Sequence, residues 1–202
     1  MPAQTAAIRI RSLATFGERE VRELSDVLID CVEGGASVSF MLPMTRAKAE
    51  TFWQGTAASV ARGERTVLIA EDVAGKIVGT VQVILNLPEN QPHRGDVAKM
   101  LVHRRARRHG VGAALLRAAE VSAKDSGRTL LVLDTVTGGD AERMYARNDW
   151  QRCGVIPDYA LFPDGRTCAT TVFFKNLRSI PSRPRSSAAA ATGGCRICDC
   201  LL

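Results

Sequence analysis

The 202-residue chain has no apolar run of the roughly 20 residues needed to cross a bilayer. Arg9, Arg11, Glu18 and Glu20 stand near the N-terminus where a secretory signal would place an apolar stretch, so a cytoplasmic location is expected. Six cysteines are too few and too scattered for a disulfide framework. Cys31, Cys153 and Cys168 stand apart, while Cys195, Cys198 and Cys200 crowd the end, and most are expected to be reduced thiols. That terminal cluster lacks the fourth ligand and the nearby histidine of a zinc site. Asp199, fourth from the end, stands where a prenylation motif needs cysteine. His93, His103 and His109 have no supporting carboxylate pattern, so no metal is expected. There is no internal repeat.

What is present is the composition of one packed domain: 46% hydrophobic and 24% charged residues. The net charge of +6 would suit a polyanion, but the arginines gather at Arg104, Arg105, Arg107 and Arg108 and again in the last stretch. Local gathering favours a phosphate site over a nucleic-acid face, and neither nucleic acid nor membrane is expected as a partner.

Near-alternation of apolar and basic residues over 6–13 predicts a first strand. Val21, Leu24, Val27, Leu28 and Cys31 recur at helical spacing over 18–32, and Gly34 and Gly35 should stop that helix. A second helix fits 45–61, with Thr45 as its cap and Gly63 as its stop. Strands over 66–71 and 76–85, separated by a short turn, should pair antiparallel. A loop over 87–95 precedes a strand over 96–102. The Ala- and Leu-rich segment 112–123 predicts a helix, followed by a strand over 129–134, a short helix over 141–148, and strands over 150–156 and 169–175 joined by a loop. Beyond Leu177 the chain turns to Ser, Pro, Arg and Ala, which cannot offset the entropy of ordering; 178–202 is read as a disordered tail after a domain spanning 1–177.

The informative unit is a strand ending in Met100, Leu101 and Val102, a basic loop over 103–109, and Gly110-Val111-Gly112 opening a helix that continues through Ala113. A helix start presents unpaired N–H groups and the positive dipole end, and glycine lets a phosphate approach that backbone. Arg107, Arg108 and His109 add polar and basic character. Neither a Walker loop nor a Rossmann fingerprint fits the letters. The same letters would also serve a plain strand-to-helix turn beside a solvated arginine face.

Arg107-Arg108-His109-Gly110-Val111-Gly112 resembles the Arg/Gln-x-x-Gly-x-Gly/Ala loop of the GNAT superfamily of acetyl-CoA-dependent N-acetyltransferases. Leu133-Asp134-Thr135, Ala141 to Tyr145, and Trp150 before Cys153-Gly154 resemble the second half of that fold. Residues 34–41, Pro157-Asp158-Tyr159-Ala160 and Pro163-Asp164-Gly165 most resemble the tabtoxin-resistance acetyltransferase branch. The resemblance covers 8–177. It implies an α+β fold, a central mixed, mostly antiparallel, twisted sheet with helices on both faces. It departs from the family at Gly138, where many members carry an asparagine that helps hold the cofactor, and at Trp150, where phenylalanine is usual.

Acetyl transfer needs a neutral amine, yet an alkyl ammonium has a pKa of about 10, so a base or a carboxylate near the nitrogen is useful. Asp134 is the candidate for orienting or deprotonating the amine. By resemblance, Tyr145 gives a proton to the departing sulfur and the Leu101 backbone polarises the thioester. The alternatives are a core aromatic for Tyr145 and a loop anchor for Asp134. By resemblance again, the acceptor pocket is bordered by 34–40, with Gly35, Ser37 and Phe40 named, and by Trp53, the aromatics there serving equally well as core residues. The leading reading is an acyltransferase that moves acetyl from acetyl-CoA to an amine of a small molecule such as an amino-acid-like toxin or antibiotic, by direct attack in a ternary complex, as a monomer or homodimer. A protein N-terminal or lysine acetyltransferase and a non-catalytic acetyl-CoA-binding module are the alternatives.

Overall fold

A computed structural model describes residues 8–178. The tail over 179–202, with its cysteine cluster, lies outside the described residues. The elements run β1 (Arg9–Ser12), α1 (Glu18–Glu33), α2 (Arg46–Ala61), β2 (Arg65–Glu71), β3 (Ile77–Ile84), β4 (Arg94–Val102), α3 (Val111–Asp125), β5 (Leu130–Val136), α4 (Asp140–Arg147), β6 (Gln151–Leu161) and β7 (Thr167–Asn176). A 3₁₀ turn over Arg104–Ala106 links β4 to α3. Among the described residues no helix is long and apolar enough to cross a membrane.

The seven strands form one sheet in the order β1-β2-β3-β4-β5-β7-β6. All neighbours pair antiparallel except β4 and β5, which are parallel. Apolar side chains on the two faces build separate cores. One joins Val97, Leu131, Leu133 and Phe173 to Leu115 and Leu116 of α3 and Tyr145 of α4. The other joins Val67, Ile69 and Leu101 to Leu24 and Leu28 of α1 and Trp53 of α2. The expected α+β architecture with helices on both faces is therefore the observed one.

Local chemistry sets the boundaries. Thr45 caps α2 by accepting a hydrogen bond from the Lys48 amide at 3.2 Å. Glu20 accepts from the Gly17 amide at 3.1 Å, closing the first turn of α1. Several boundaries differ from expectation: Arg94 and Gly95, expected in a loop, open β4 and pair with β5, β5 runs on to Val136, β7 begins at Thr167, and residues 157–161 continue β6 rather than forming a loop. β6 is an edge strand, and its pairing with β7 breaks between Ile156 and Ala160, with Asp158 at φ 49°. Pro157 falls inside that irregularity, where no ladder bond is asked of it.

Two features of β4 position the site. β4 and β5 pair only over Arg94–Asp96 against Leu130–Val132, although β4 runs on to Val102 and β5 to Val136. Beyond Asp96 the strands part, leaving one edge of each without a ladder partner. The second feature is a bulge: Thr80 faces Leu101 and Gln82 faces Ala98, so three steps on β4 oppose two on β3. The extra residue reverses which side chains face which core. Val97 packs toward α3, and after the bulge Met100 and Val102 do so, while Leu101 is turned into the α1–α2 core.

Candidate active site

The splay between β4 and β5 gathers groups from five elements. At its far end stands the start of α3. The N-cap, Gly110, has φ 77° and ψ 0°, a left-handed conformation that glycine adopts without steric cost, and no side chain caps the helix. The first bond back to the cap is from the Ala114 amide to the Gly110 carbonyl at 3.0 Å, so the amides of Val111, Gly112 and Ala113 are left for another acceptor. No protein atom outside the immediate chain lies within 4 Å of where a Gly110 side chain would begin. Free donors, a positive helix end and open approach fit a phosphate. The open edge of β4 leading away from it fits an extended, amide-bearing arm, and acetyl-CoA has both parts.

The two glycines of the loop do different things. A Cβ on Gly112 would lie 2.8 Å from the sulfur of Met144 in α4. Gly112 is therefore small because α4 presses on α3, and it brings the helix carrying Tyr145 close to the phosphate end. The arginines also divide. Arg104 holds Asp30 through its amide at 2.8 Å and its Nε at 2.9 Å, and Arg105 pairs with Asp72 at 3.2 Å. Arg107 donates from Nε to the Val102 carbonyl at 3.1 Å, bracing the end of β4. Arg108 and His109 are exposed and make no side-chain bond among the described residues. Of the four arginines of the loop, Arg108 is the one with no side-chain hydrogen bond or ion pair among the described residues, and its own φ of 65° puts it in a second left-handed turn beside Gly110. His103 turns Nδ1 to accept from the Arg105 amide at 3.2 Å. Burial lowers its pKa against the opposing pull of Asp30, which keeps the ring neutral and acting as an acceptor.

Tyr145 is 4% exposed and packs against Trp150 and Phe173 at ring separations of 5.9 and 6.0 Å. Its hydroxyl makes no hydrogen bond among the described residues. Burial, and then the charge of Asp134, push the phenol pKa far above its ordinary value, so the proton stays on at working pH. Trp150 is fixed by its indole N–H, which donates to Glu120 at 3.0 Å, and the same carboxylate accepts from Lys175 at 2.8 Å. At Gly138 no side chain is offered, and its backbone serves α4: the amide donates to Glu142 at 2.5 Å and the carbonyl accepts from Arg143 at 2.8 Å.

Asp134, on β5 just past the point where the strands part, is exposed and accepts a hydrogen bond from the Thr170 hydroxyl at 3.3 Å. Asp96, on β4 at the fork, was not singled out by any motif. Its Oδ2 accepts from Arg94 at 3.1 Å while its Oδ1 is buried without a partner. Burial raises its pKa, Arg94 opposes this, and Asp134 adds to it. Two carboxylates thus feel each other across the fork.

On the acceptor side, Ser37 donates to the Leu161 carbonyl at 2.7 Å and the Leu42 amide donates to the Pro163 carbonyl at 3.1 Å, which straps the segment after α1 to the β6–β7 hairpin. Gly35 sits in an open left-handed turn at the start of that segment. Phe40 meets Phe52 edge-to-face at 5.2 Å. Trp53 is wholly buried beneath Phe52, so it supports this wall from within the core and does not line it. Lys99, the residue of the β4 bulge, reaches the same wall and was also not singled out. A lysine in phase with Val97 and Leu101 of a buried strand was the signal that could have marked it.

A family model described as an acetyltransferase (GNAT) domain matches residues 63–152, the stretch from β2 through α4 that contains the fork and the glycine loop. Those residues are similar to a GNAT acetyltransferase domain. It is 26% identical over 129 residues to a protein of Azospirillum brasilense described as an uncharacterized N-acetyltransferase in the hisH-hisA intergenic region, covering 63% of this chain and 74% of that one. An N-acetyltransferase of Staphylococcus aureus Mu50 superposes with a TM-score of 0.71 at 15% identity, over 86% of this chain and all of that one. A structure of yncA from Salmonella typhimurium with its cofactor acetyl-CoA superposes with a TM-score of 0.70 at 15% identity, over 89% of this chain and 99% of that one. A ribosomal-protein-alanine N-acetyltransferase of Brucella melitensis gives 0.69 at 22%, over 83% and 99%. The sheet with its β4–β5 fork is the GNAT fold, and the protein is an acyltransferase.

Proposed function

We propose that this GNAT domain transfers the acetyl group of acetyl-CoA to an amine of a small molecule, by direct attack while both are bound. The observation that carries the reading is a buried phenol on α4 and an exposed aspartate on β5, near enough for Asp134 to raise the Tyr145 pKa. Acetyl-CoA supplies the thioester. The amides of Val111, Gly112 and Ala113, with Arg108, would hold its phosphates, and the open edge of β4 around Met100, Leu101 and Val102 would hold its arm and polarise the carbonyl.

Asp134, exposed on β5, faces the acceptor. It draws the ammonium form toward it and takes or relays the proton that must leave before nitrogen can attack. Tyr145 does the opposite work. A phenol kept protonated by burial is a donor, suited to protonating the sulfur as it departs. Burial thus suits Tyr145 to the acid role, and its exposed place on β5 suits Asp134 to receiving the amine proton. The strap from Ser37 and Leu42 to the β6–β7 hairpin walls the acceptor side, which supports a small acceptor over a peptide. The resemblance of 34–41 and 157–165 to the tabtoxin-resistance branch supports an amino-acid-like toxin or antibiotic.

A thiol-release assay with acetyl-CoA against small amines and against peptides beginning in alanine or containing lysine tests this. Release with at least one small amine and none with the peptides is expected. Release with peptides alone would overturn the small-molecule acceptor, and no release with any acceptor would leave a binding module.

A further inference from the structure

Lys99 is held in an unusual way for a lysine. The bulge gives it φ 49°, and its ammonium donates at 3.0 Å to Ser39, itself at φ 75°. Two side-chain-bearing residues in the left-handed region, hydrogen-bonded to each other across 60 positions of sequence, are a local cost that the surrounding fold imposes. The ammonium lies 5.8 Å from the centre of the Phe40 ring and 5.9 Å from that of Phe52, close enough for both rings to attract it. It makes no ion pair among the described residues. Burial lowers its pKa, and the charge that opposes this comes from Asp134 across the fork, with Arg65 acting in the same sense as burial.

A half-buried ammonium with one hydrogen bond, two aromatic neighbours and no carboxylate in contact has two donors to spare and gains from a negative partner. We propose that Lys99 is the specificity-determining residue of the acceptor site, receiving a carboxylate carried by the acceptor while the acceptor's amine faces Asp134. The ligand class is then an amino acid or an amino-acid-like compound, bound as a zwitterion between a cation on β4 and an anion on β5. Phe40 and Phe52 cover the ammonium on its apolar side, so the carboxylate meets a partly desolvated partner, where a charge-assisted hydrogen bond is stronger than in water.

The inference rests on the acetyl-transfer reading, and the experiment separates the two. Thiol release is measured with matched amines that differ only in the carboxylate: 4-aminobutyrate and butylamine, L-lysine and cadaverine, L-methionine and L-methioninamide. The wild type should favour the carboxylated member of at least one pair. Lys99→Met should lower kcat/KM for that member about 10- to 100-fold while lowering it far less for the neutral one, and Lys99→Arg should keep most of the preference. Binding of acetyl-CoA to each variant serves as the check on folding. A wild type that favours the neutral members, or a preference that Lys99→Met leaves unaltered, overturns the role of Lys99 and leaves acetyl transfer standing. If no member of any pair releases thiol, both readings fall together.

Discussion

The two ends of the fork are built from different materials. At the α3 end the binding groups are backbone amides, exposed by a left-handed glycine and a helix start. At the proposed acceptor end they are side chains, Lys99, Asp134, Phe40 and Phe52, brought from three elements and the loop between α1 and α2. Backbone donors cannot be exchanged by point substitution without moving the chain, so that end is suited to one invariant ligand. Side chains can be exchanged one at a time, so on the proposed reading the other end is where acceptor choice would reside. Tyr145 sits between them, and its protonated state comes from burial in the shared core.

Substitutions can break or sharpen this contrast. Tyr145→Phe should have the largest effect, because it removes the donor while leaving the ring packed on Trp150 and Phe173. A fall in kcat of about 100-fold or more is expected in steady-state assays, with acetyl-CoA affinity little altered. The same variant tests the buried phenol through stability. In the folded wild type the proton is kept above the ordinary tyrosine pKa of about 10, whereas the unfolded chain releases it there. The contribution of Tyr145 to stability should therefore be constant below that pH and decline above it, and chemical denaturation at alkaline pH should show a shallower decline for Tyr145→Phe. Equal slopes would mean that the phenol titrates as in solvent.

The two loop glycines give a smaller and more selective test. Gly110→Ala forces an unfavourable φ at the cap, costing about 1–2 kcal/mol if the turn is kept, or displacing the amides if it is not. A loss of CoA affinity of about tenfold is expected by calorimetry. Gly112→Val should act through packing, at about 1–3 kcal/mol of stability, because it drives against Met144. Pairing it with Met144→Ala should return at least about 0.5 kcal/mol relative to the sum of the single changes, read from denaturation midpoints. Absence of coupling would remove the packing role assigned to Gly112.

The same contrast explains what was legible in the sequence. Helix and strand periodicities located the elements, and the short spacing of Gly110 and Gly112 after a strand pointed to the open start of α3 proposed as the phosphate end, because a backbone site is local in the chain. Asp134 and Tyr145 were reachable through resemblance. Lys99 and Asp96 were not, because their significance depends on the bulge and the fork: the bulge redirects Lys99 toward Phe40 and Phe52, and the fork faces Asp96 with Asp134 from another strand. Trp53 was placed at the acceptor wall by resemblance, which does not separate a lining residue from the core residue beneath it. The extension of β6 past Pro157 was hidden by residues that elsewhere mark a loop, and an edge strand accepts them.

The central claim is that the amides opening α3 hold the phosphates of an acyl carrier whose arm lies along β4. Isothermal titration of the full chain with CoA at neutral pH tests it most directly. The account predicts saturable uptake of one CoA per chain, weakened in Gly110→Ala, and wild-type protein that takes up no CoA would contradict it.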